Sequence, residues 1–280
     1  MSSPTLYLVA TPIGNLSDIT FRAVEILKAV DWIAAEDTRH SQRLLLHYEI
    51  NTPCFSLHDH NEDERIQKVL TLLNEKKSLA LISDAGTPLI SDPGFRLVRA
   101  VREAGFTVLP IPGACAAIAA LISSGLPTDR FVFEGFLPAK TQALNNHLEK
   151  LKNETRTIIF YESVHRIEKT LLAMQKIFGD ARLATVAREL TKSFESIKHD
   201  TLKNLSEWII ANPEKQKGEF VVIVQGAPQE SFSNEKLTSL LKTLLHELPL
   251  KQAVGLACQI TGENKNVVYD LALQCQSKLQ

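Results

Sequence analysis

The run Ser83-Asp84-Ala85-Gly86-Thr87-Pro88-Leu89-Ile90-Ser91-Asp92-Pro93-Gly94 concentrates residue types that bind ligands. It follows the apolar stretch 79–82 and precedes an amphipathic stretch at 95–104, an order that reads as strand, elaborate loop, helix. Glycine gives a ligand close access to the backbone, and proline stiffens a loop without needing a hydrogen-bond partner. Asp84 falls just past the carboxyl end of the strand, where open α/β sheets bind their ligands. A helix cap, with Asp92 at the N-cap and Pro93 at the first helical position, accounts for the end of the run. The rest reads as a ligand loop.

Four further clusters stand at predicted strand ends, and a fifth enters a strand. Thr11-Pro12-Ile13-Gly14-Asn15-Leu16 sits where a dinucleotide-binding protein carries G-x-G-x-x-G. That fingerprint is absent, as is a Walker loop, so neither a nicotinamide cofactor nor ATP is indicated. In Glu36-Asp37-Thr38-Arg39-His40, Asp37 is a natural N-cap, while Glu36 and Arg39 add charge able to orient a polar substrate. Phe160-Tyr161-Glu162-Ser163-Val164-His165-Arg166, Ala187-Arg188-Glu189-Leu190-Thr191-Lys192 and Lys217-Gly218-Glu219-Phe220 read as solvated rims or as one wall of a cleft. His58-Asp59-His60 has the types but not the number of a metal site, and reads as a polar loop before a helix. There is no G-x-S-x-G elbow and no H-E-x-x-H helix.

The elements that must position these loops alternate. Strand patterns at 6–10, 32–35, 53–57, 79–83 and 107–111 are separated by helical patterns near 20–29, 38–47, 62–74 and 94–104, which predicts a parallel sheet covered on both faces. Pro112-Gly113-Ala114-Cys115 opens a helix of small residues over 114–122, expected to be buried. Gly125-Leu126-Pro127-Thr128 marks a boundary. Beyond it, strand patterns at 131–135, 157–161, 183–187, 194–198 and 219–224 predict a mixed sheet, with 183–187 and 194–198 antiparallel. The segment 140–156 is poor in apolar residues and reads as an exposed helix and loop. Gly226 to Ser231 reads as a linker.

After it come helices from Asn234 to about Leu248 and from Pro249, the latter with Ala253, Leu256, Ala257 and Ile260 on one face. A Thr261-Gly262-Glu263-Asn264 turn leads to a third helix containing 267–273. That tail is helix-turn-helix-like or a packing appendage. The expected organisation is an N-terminal α/β domain at 1–124, a second α/β domain at 125–230 and a helical extension at 231–280.

The chain has 280 residues, 44% hydrophobic and 22% charged, with a formal net charge of −1, so no global basic field holds nucleic acid. Cys54, Cys115, Cys258 and Cys275 are scattered and form no C-x-x-C pair, as in a reduced cytosolic protein. No signal peptide or membrane-length apolar run is evident, so the expected location is cytoplasmic.

Taken in order, 8–20, 35–39, 83–94, 160–166 and 188–192 resemble the tetrapyrrole methylase superfamily of S-adenosylmethionine-dependent methyltransferases, in particular the branch acting on the ribose of small-subunit ribosomal RNA. Leu250-Lys251-Gln252-Ala253-Val254 and Ile260-Thr261-Gly262 look like the helical extension of that branch. The tetrapyrrole enzymes carry a Gly-rich first loop and a later Gly-Asp-Pro loop. Here these are Thr11-Pro12-Ile13-Gly14-Asn15 and Ser83-Asp84-Ala85-Gly86-Thr87-Pro88, which argues against a porphyrin-type substrate.

The resemblance implies an S-adenosylmethionine site between two domains, contacted by Pro12, Asp84, Gly86, Ile90, Ala114, Cys115, Tyr161, Arg188, Gly218 and Phe220, and no metal. A carboxylate such as Asp84 suits either a sulfonium or a ribose hydroxyl. The implied reaction is 2′-O-methylation of a cytidine in the decoding region of 16S rRNA by a homodimer, with the small ribosomal subunit as partner. A 2′-hydroxyl is a weak acid and needs help losing its proton. Glu36, Asp37, Glu162, Glu189 and Lys192 are the catalytic candidates, and Arg39, Arg188 and Lys192 are candidates to hold RNA phosphates. Competing readings are a small-molecule methyltransferase of the same superfamily and a non-catalytic, cofactor-binding RNA factor.

Overall fold

The computed structural model describes residues 3–58, 61–228 and 234–276. Asp59, His60 and the linker residues Gln229, Glu230 and Ser231 lie outside the described residues, as does the side chain of Asn234.

The first half alternates as its sequence pattern requires: β1 (Thr5–Val9), α1 (Phe21–Ala29), β2 (Trp32–Ala35), α2 (Thr38–His47), β3 (Cys54–Ser56), α3 (Glu62–Asn74), β4 (Leu79–Ile82), α4 (Phe95–Glu103), β5 (Thr107–Ile111) and α5 (Ala116–Ser123). The five strands are all parallel in the order β3-β2-β4-β1-β5. The central strand β4, Leu79-Ala80-Leu81-Ile82, is buried along its whole length, because helices cover both faces of a parallel sheet. Leu79 and Leu81 point into one core with Leu73 and Leu97, while Ala80 and Ile82 point into the other with Leu27 and Ile33.

The second half contains β6 (Phe131–Phe136), α6 (Thr141–Leu151), β7 (Thr157–Glu162), α7 (Ile167–Phe178), β8 (Leu183–Arg188), β9 (Ser196–Thr201), α8 (Leu202–Ala211) and β10 (Phe220–Val224). Its sheet is mixed, in the order β6-β7-β10-β8-β9, with β6 and β7 parallel and every other pair antiparallel. One face packs on α6, α7 and α8 through residues such as Leu148, Leu171 and Leu205. The other face receives α5: Ala117, Ala120 and Leu121 lie against Ile159, Ala187, Val221 and Ile223. Small side chains let that helix sit close to the sheet, but it is not wholly buried. Ile118 and Ile122 are exposed, Ile122 by 75%.

Two other expectations are corrected. The segment 140–156 does form a helix with an exposed face, but Leu144 and Leu148, four residues apart, are buried in the core. Asp92 does not cap α4. The helix starts at Phe95 after Gly94, whose φ of 121° suits glycine and whose added Cβ would meet Leu81 Cδ2 at 2.9 Å.

Compact packing divides the chain into residues 1–227 and 228–280. The second unit holds α9 (Asn234–Glu247), α10 (Leu250–Thr261) and α11 (Lys265–Gln276) around Leu237, Leu241, Val254, Ala257, Val268 and Ala272. Ala253 and Ala257 are buried as expected, but Leu256 and Ile260 are exposed. The buried residues of α10 are Ala253, Val254 and Ala257, with Leu250 and Cys258 partly buried beside them, which turns Leu256 and Ile260 outward. Among the described residues, no helix is long and apolar enough to cross a membrane.

Candidate active site

A cavity of about 370 Å³, within the size range of small-molecule sites, opens beyond the carboxyl ends of β2 and β4. The second half closes it with β7, β8 and β10. Ile13, Ile90, Ala187, Leu190 and Val221 give it an apolar lining, and Glu36, Asp84, Asp92, Glu162 and Glu219 place five carboxyl groups in its wall. None of the lining residues is lysine, arginine or histidine.

The loop 83–94 is held by the first loop. Thr11 N–H donates to Gly86 O at 2.8 Å, and Gly86 N–H returns a bond to Thr11 O at 3.1 Å. Gly86 has φ 84°, and a Cβ there would come within 3.2 Å of Ile13 Cγ2. Further along, Leu89 (φ 72°) and Ser91 (φ 68°) both take the left-handed conformation, at a cost of roughly 1–2 kcal/mol each. Those two residues flank Ile90 and turn it, with Asp92, into the cavity.

The acidic residues divide by partner. Asp84 Oδ1 accepts the Asp37 N–H at 3.1 Å, and the Asp84 N–H lies 3.5 Å from Glu36 Oε2. Asp92 has a buried Oδ2 with no hydrogen-bond partner. Burial first, and then the neighbouring charges of Glu36 and Asp84, push its carboxyl up to about 6 against one favourable bond from Ser83. Glu162, 2% exposed, has the opposite surroundings. It accepts from Ser163 N–H at 2.7 Å and Thr170 Oγ1 at 2.6 Å, and pairs with Arg166 at 2.8 Å. Glu219 is paired with Lys192 Nζ at 2.8 Å.

Of the cofactor-site expectations, Asp84, Gly86, Ile90, Tyr161 and Phe220 line the cavity. Tyr161 donates its ring, packed edge-on against Phe133 and Phe136 at 5.0 and 5.5 Å. Its hydroxyl accepts the Ala117 N–H at 3.2 Å, and burial followed by the nearby Cys115 holds it well above the usual range, so it stays neutral. Pro12, Ala114, Cys115, Arg188 and Gly218 stand behind the wall. Pro12 is buried between Thr11 and Ile13. Ala114 O accepts from Thr87 Oγ1 at 3.0 Å, and Cys115 precedes α5. Arg188, 7% exposed, spends its guanidinium on Lys217 O (2.6 Å) and Phe194 O (3.0 Å). A Cβ on Gly218 (φ 104°) would strike Glu189 at 2.5 Å.

Of the catalytic candidates, Glu36 and Glu162 line the cavity, whereas Asp37, Glu189 and Lys192 do not. Asp37 caps α2 and is held at low pKa by Arg39. Glu189, in a left-handed turn, accepts from Glu219 N–H at 2.9 Å and pairs with Lys192 at 3.0 Å. Arg39, a candidate phosphate ligand, is exposed at the start of α2, with Asp37 as its ion-pair partner at 2.8 Å. Sequence reasoning passed over Asp92, Ile13, Phe136 and Glu219 as site residues. For Asp92 the signal was present but was absorbed by the cap reading. Among the described residues, no group of three or more His, Cys, Asp or Glu is placed to hold a metal.

A cavity lined by apolar groups and carboxylates, with no lysine, arginine or histidine among its lining residues, fits a ligand that is cationic and largely apolar. A sulfonium compound with a planar base meets that description.

Comparison with known proteins supports the assignment of the fold. Residues 5–206 match the family described as Tetrapyrrole (Corrin/Porphyrin) Methylases, and 233–276 match the RsmI C-terminal HTH domain. A protein named ribosomal RNA small subunit methyltransferase I from Haemophilus influenzae is 53% identical over 271 residues, covering 96% of each chain. Its namesake from Pseudomonas aeruginosa is 51% identical, covering 99% of this chain and all of that one. Among solved structures, a diphthine synthase superposes with TM-score 0.62 at 15% identity, covering 80% of this chain and 90% of its own. A uroporphyrin-III C-methyltransferase from Thermus thermophilus superposes with TM-score 0.56 at 16% identity, covering 79% and 94%.

Proposed function

From the premise that the chain belongs to the tetrapyrrole methylase family, in its ribosomal RNA small subunit methyltransferase I branch, we propose that it methylates the ribose 2′-hydroxyl of a cytidine in the decoding region of 16S rRNA. The donor is S-adenosylmethionine. The observation that carries this reading is the cavity beyond β2 and β4, with Glu36, Asp84 and Asp92 in its wall and no basic side chain to compete with a cationic donor.

When bound, the donor supplies a methyl group on a sulfonium, already a good leaving group, so the protein's work is alignment and exclusion of water. Asp84 and Glu36 favour the positive charge. Ile13, Ala187, Leu190 and Val221 cover the apolar part of the ligand. Glu162, locked by Ser163, Thr170 and Arg166, fixes the end of β7 and with it Tyr161. The bond from Asn15 N–H to Thr191 Oγ1 at 3.1 Å ties the first loop to the turn after β8, and Gly14 leaves room for Lys192, whose Cγ a Cβ there would meet at 2.5 Å. Arg39, exposed at the start of α2, is the cation we assign to meet an RNA phosphate. On this reading 1–124 and 125–230 are the domains on either side of the cleft, and 231–280 adds RNA grip. A cytoplasmic homodimer acting on the assembled small subunit completes the proposal, and a folded target suits a chain of net charge −1.

The direct test is transfer of labelled methyl from S-adenosylmethionine to small ribosomal subunits lacking the modification, followed by nucleoside analysis. Label in 2′-O-methylcytidine is the expected result. Donor binding with no labelled RNA overturns the proposed acceptor and directs the search to small molecules or a cofactor-sensing role.

A further inference from the structure

We propose that Asp92 accepts the hydroxyl proton during methyl transfer, and that the positive charge of the methyl donor prepares it to do so. This rests on the methyl-transfer reading above. Three observations place Asp92 in that role. It lines the cavity. It stands at the end of a loop bent by two left-handed non-glycine residues, Leu89 and Ser91. Its Oδ2 is buried without a hydrogen-bond partner, so charge on this carboxylate is poorly compensated.

The other bases suggested by the sequence are engaged. Asp37 is bound to Arg39 and to the start of α2. Glu162 holds two hydrogen-bond donors and an arginine. Glu189 holds Lys192 and the Glu219 amide, and Lys192 is a cation between two carboxylates. A carboxylate whose oxygens are already held by several donors is not free to meet the substrate hydroxyl. Glu36, whose Oε2 faces the Asp84 amide at 3.5 Å, shares with Asp84 the part of the wall that repels charge on Asp92.

The groups facing Asp92 are Glu36 after β2, Ser83 and Asp84 after β4, and Tyr161 on β7, with Glu162 and Glu219 elsewhere in the same wall. None is a cation. Burial and the charges of Glu36 and Asp84 raise its carboxyl to about 6. A cation in the cavity opposes the repulsive part of that shift, so Asp92 releases its proton as the donor binds. In the transfer, the ribose oxygen attacks the methyl carbon and an O–C bond forms. The C–S bond breaks with its electron pair going to sulfur, which becomes a neutral thioether. The hydroxyl proton passes to the Asp92 carboxylate. Loss of the positive charge restores the anionic surroundings of Asp92, so its proton affinity rises in the same step. The proton returns to water when the products leave.

The test starts with the full-length wild-type protein. S-adenosylmethionine and, separately, its neutral thioether product are titrated by calorimetry at pH about 6 in two buffers of different ionisation enthalpy. Donor binding should release roughly half a proton, since a group near its pKa is about half protonated, and product binding should release almost none. Asp92→Asn should abolish the release. The same substitution should slow single-turnover transfer to small subunits about 100-fold or more at saturating donor, weaken donor binding at pH about 6 by about fivefold or more because the coupling between donor and carboxylate is reciprocal, leave RNA KM within about threefold of wild type, and Asp92→Glu should recover part of the rate. The proposal is overturned by unchanged proton release in Asp92→Asn, by wild-type transfer in that variant, or by a tenfold loss of donor affinity with transfer intact, which would make Asp92 only a counter-ion. A wild-type protein that binds the donor and methylates no RNA overturns the acceptor reading instead. The proton release then still decides the charging of Asp92.

Discussion

The two walls of the cavity use the same residue types for opposite purposes. On the wall built from the parallel sheet, Glu36, Asp84 and Asp92 face the cavity with no basic side chain beside them in its lining, and the loop that carries Asp92 holds two non-glycine residues in left-handed conformations. On the wall built from the mixed sheet, each carboxylate is matched. Glu162 has Arg166, Glu219 and Glu189 share Lys192, and Arg188 is capped by two backbone carbonyls. Matched charge makes a rigid surface. Charge on Asp92, whose Oδ2 is buried without a hydrogen-bond partner, is a reservoir of electrostatic energy that a cationic ligand can relieve. The difference teaches that a carboxylate's role here is set by what its neighbours leave undone.

That contrast predicts where substitutions act. The largest effect is on stability and lies on the matched wall. Glu162→Ala strands Arg166, Thr170 and the Ser163 amide, and should lower the unfolding free energy by about 3 kcal/mol in a denaturant titration. A loss below about 1 kcal/mol would remove the basis for calling that wall structural. Next comes Asp84→Asn on the parallel-sheet wall, which keeps an acceptor for the Asp37 N–H but removes the charge. It should leave the melting temperature nearly unchanged while weakening S-adenosylmethionine binding about 10- to 100-fold, read by calorimetry. Equal stability losses from both variants would erase the distinction between the walls.

How far the sequence revealed this follows the same division. The sheets were legible because β4 and β10 are continuous apolar runs, because Asp37 caps α2 and because α3 carries a helical periodicity. That Asp84, Gly86 and Ile90 line a cavity was legible because a strand followed by a Gly- and Pro-rich loop is a local signal. What was not legible depends on long-range pairing. Arg188 reads as a phosphate ligand until the fold brings Lys217 O and Phe194 O to it. Glu189 and Lys192 read as catalytic until Glu219 arrives from 27 residues beyond Lys192. Asp92 was misread for a local reason: Asp-Pro before a helical pattern is the usual cap, and only Gly94, which lets α4 begin later, frees Asp92 for the cavity. The stripe of α10 was rotated because its partners α9 and α11, not its own periodicity, choose which flank is covered.

Smaller effects sharpen the comparison further. Because the Asp92 carboxyl is raised from its ordinary value near 3.8 to about 6, the folded protein holds more protons than the unfolded chain across that interval. Stability from this group is therefore present in full below about pH 4 and is lost as pH rises through about 6. Asp92→Asn should flatten that part of the pH profile and stabilise the protein at pH 7 by on the order of 1 kcal/mol, a modest gain because Asp92 keeps some contact with water. Thermal melts at pH 4.5 and 7 would check it, and a variant less stable than wild type at pH 7 would contradict an unmatched charge. The smallest effect is expected at Arg39. Its side chain is 88% exposed and paired only at the surface with Asp37, so Arg39→Gln should leave melting and donor affinity where they were. If it holds one phosphate of the RNA, the same change lowers the slope of log affinity against log salt by about 1. Arg188→Gln, in contrast, should destabilise the fold, because that guanidinium is buried between two carbonyls of the matched wall. An unchanged salt slope in Arg39→Gln would take RNA contact away from the start of α2 and leave the helical unit at 234–276 to supply it.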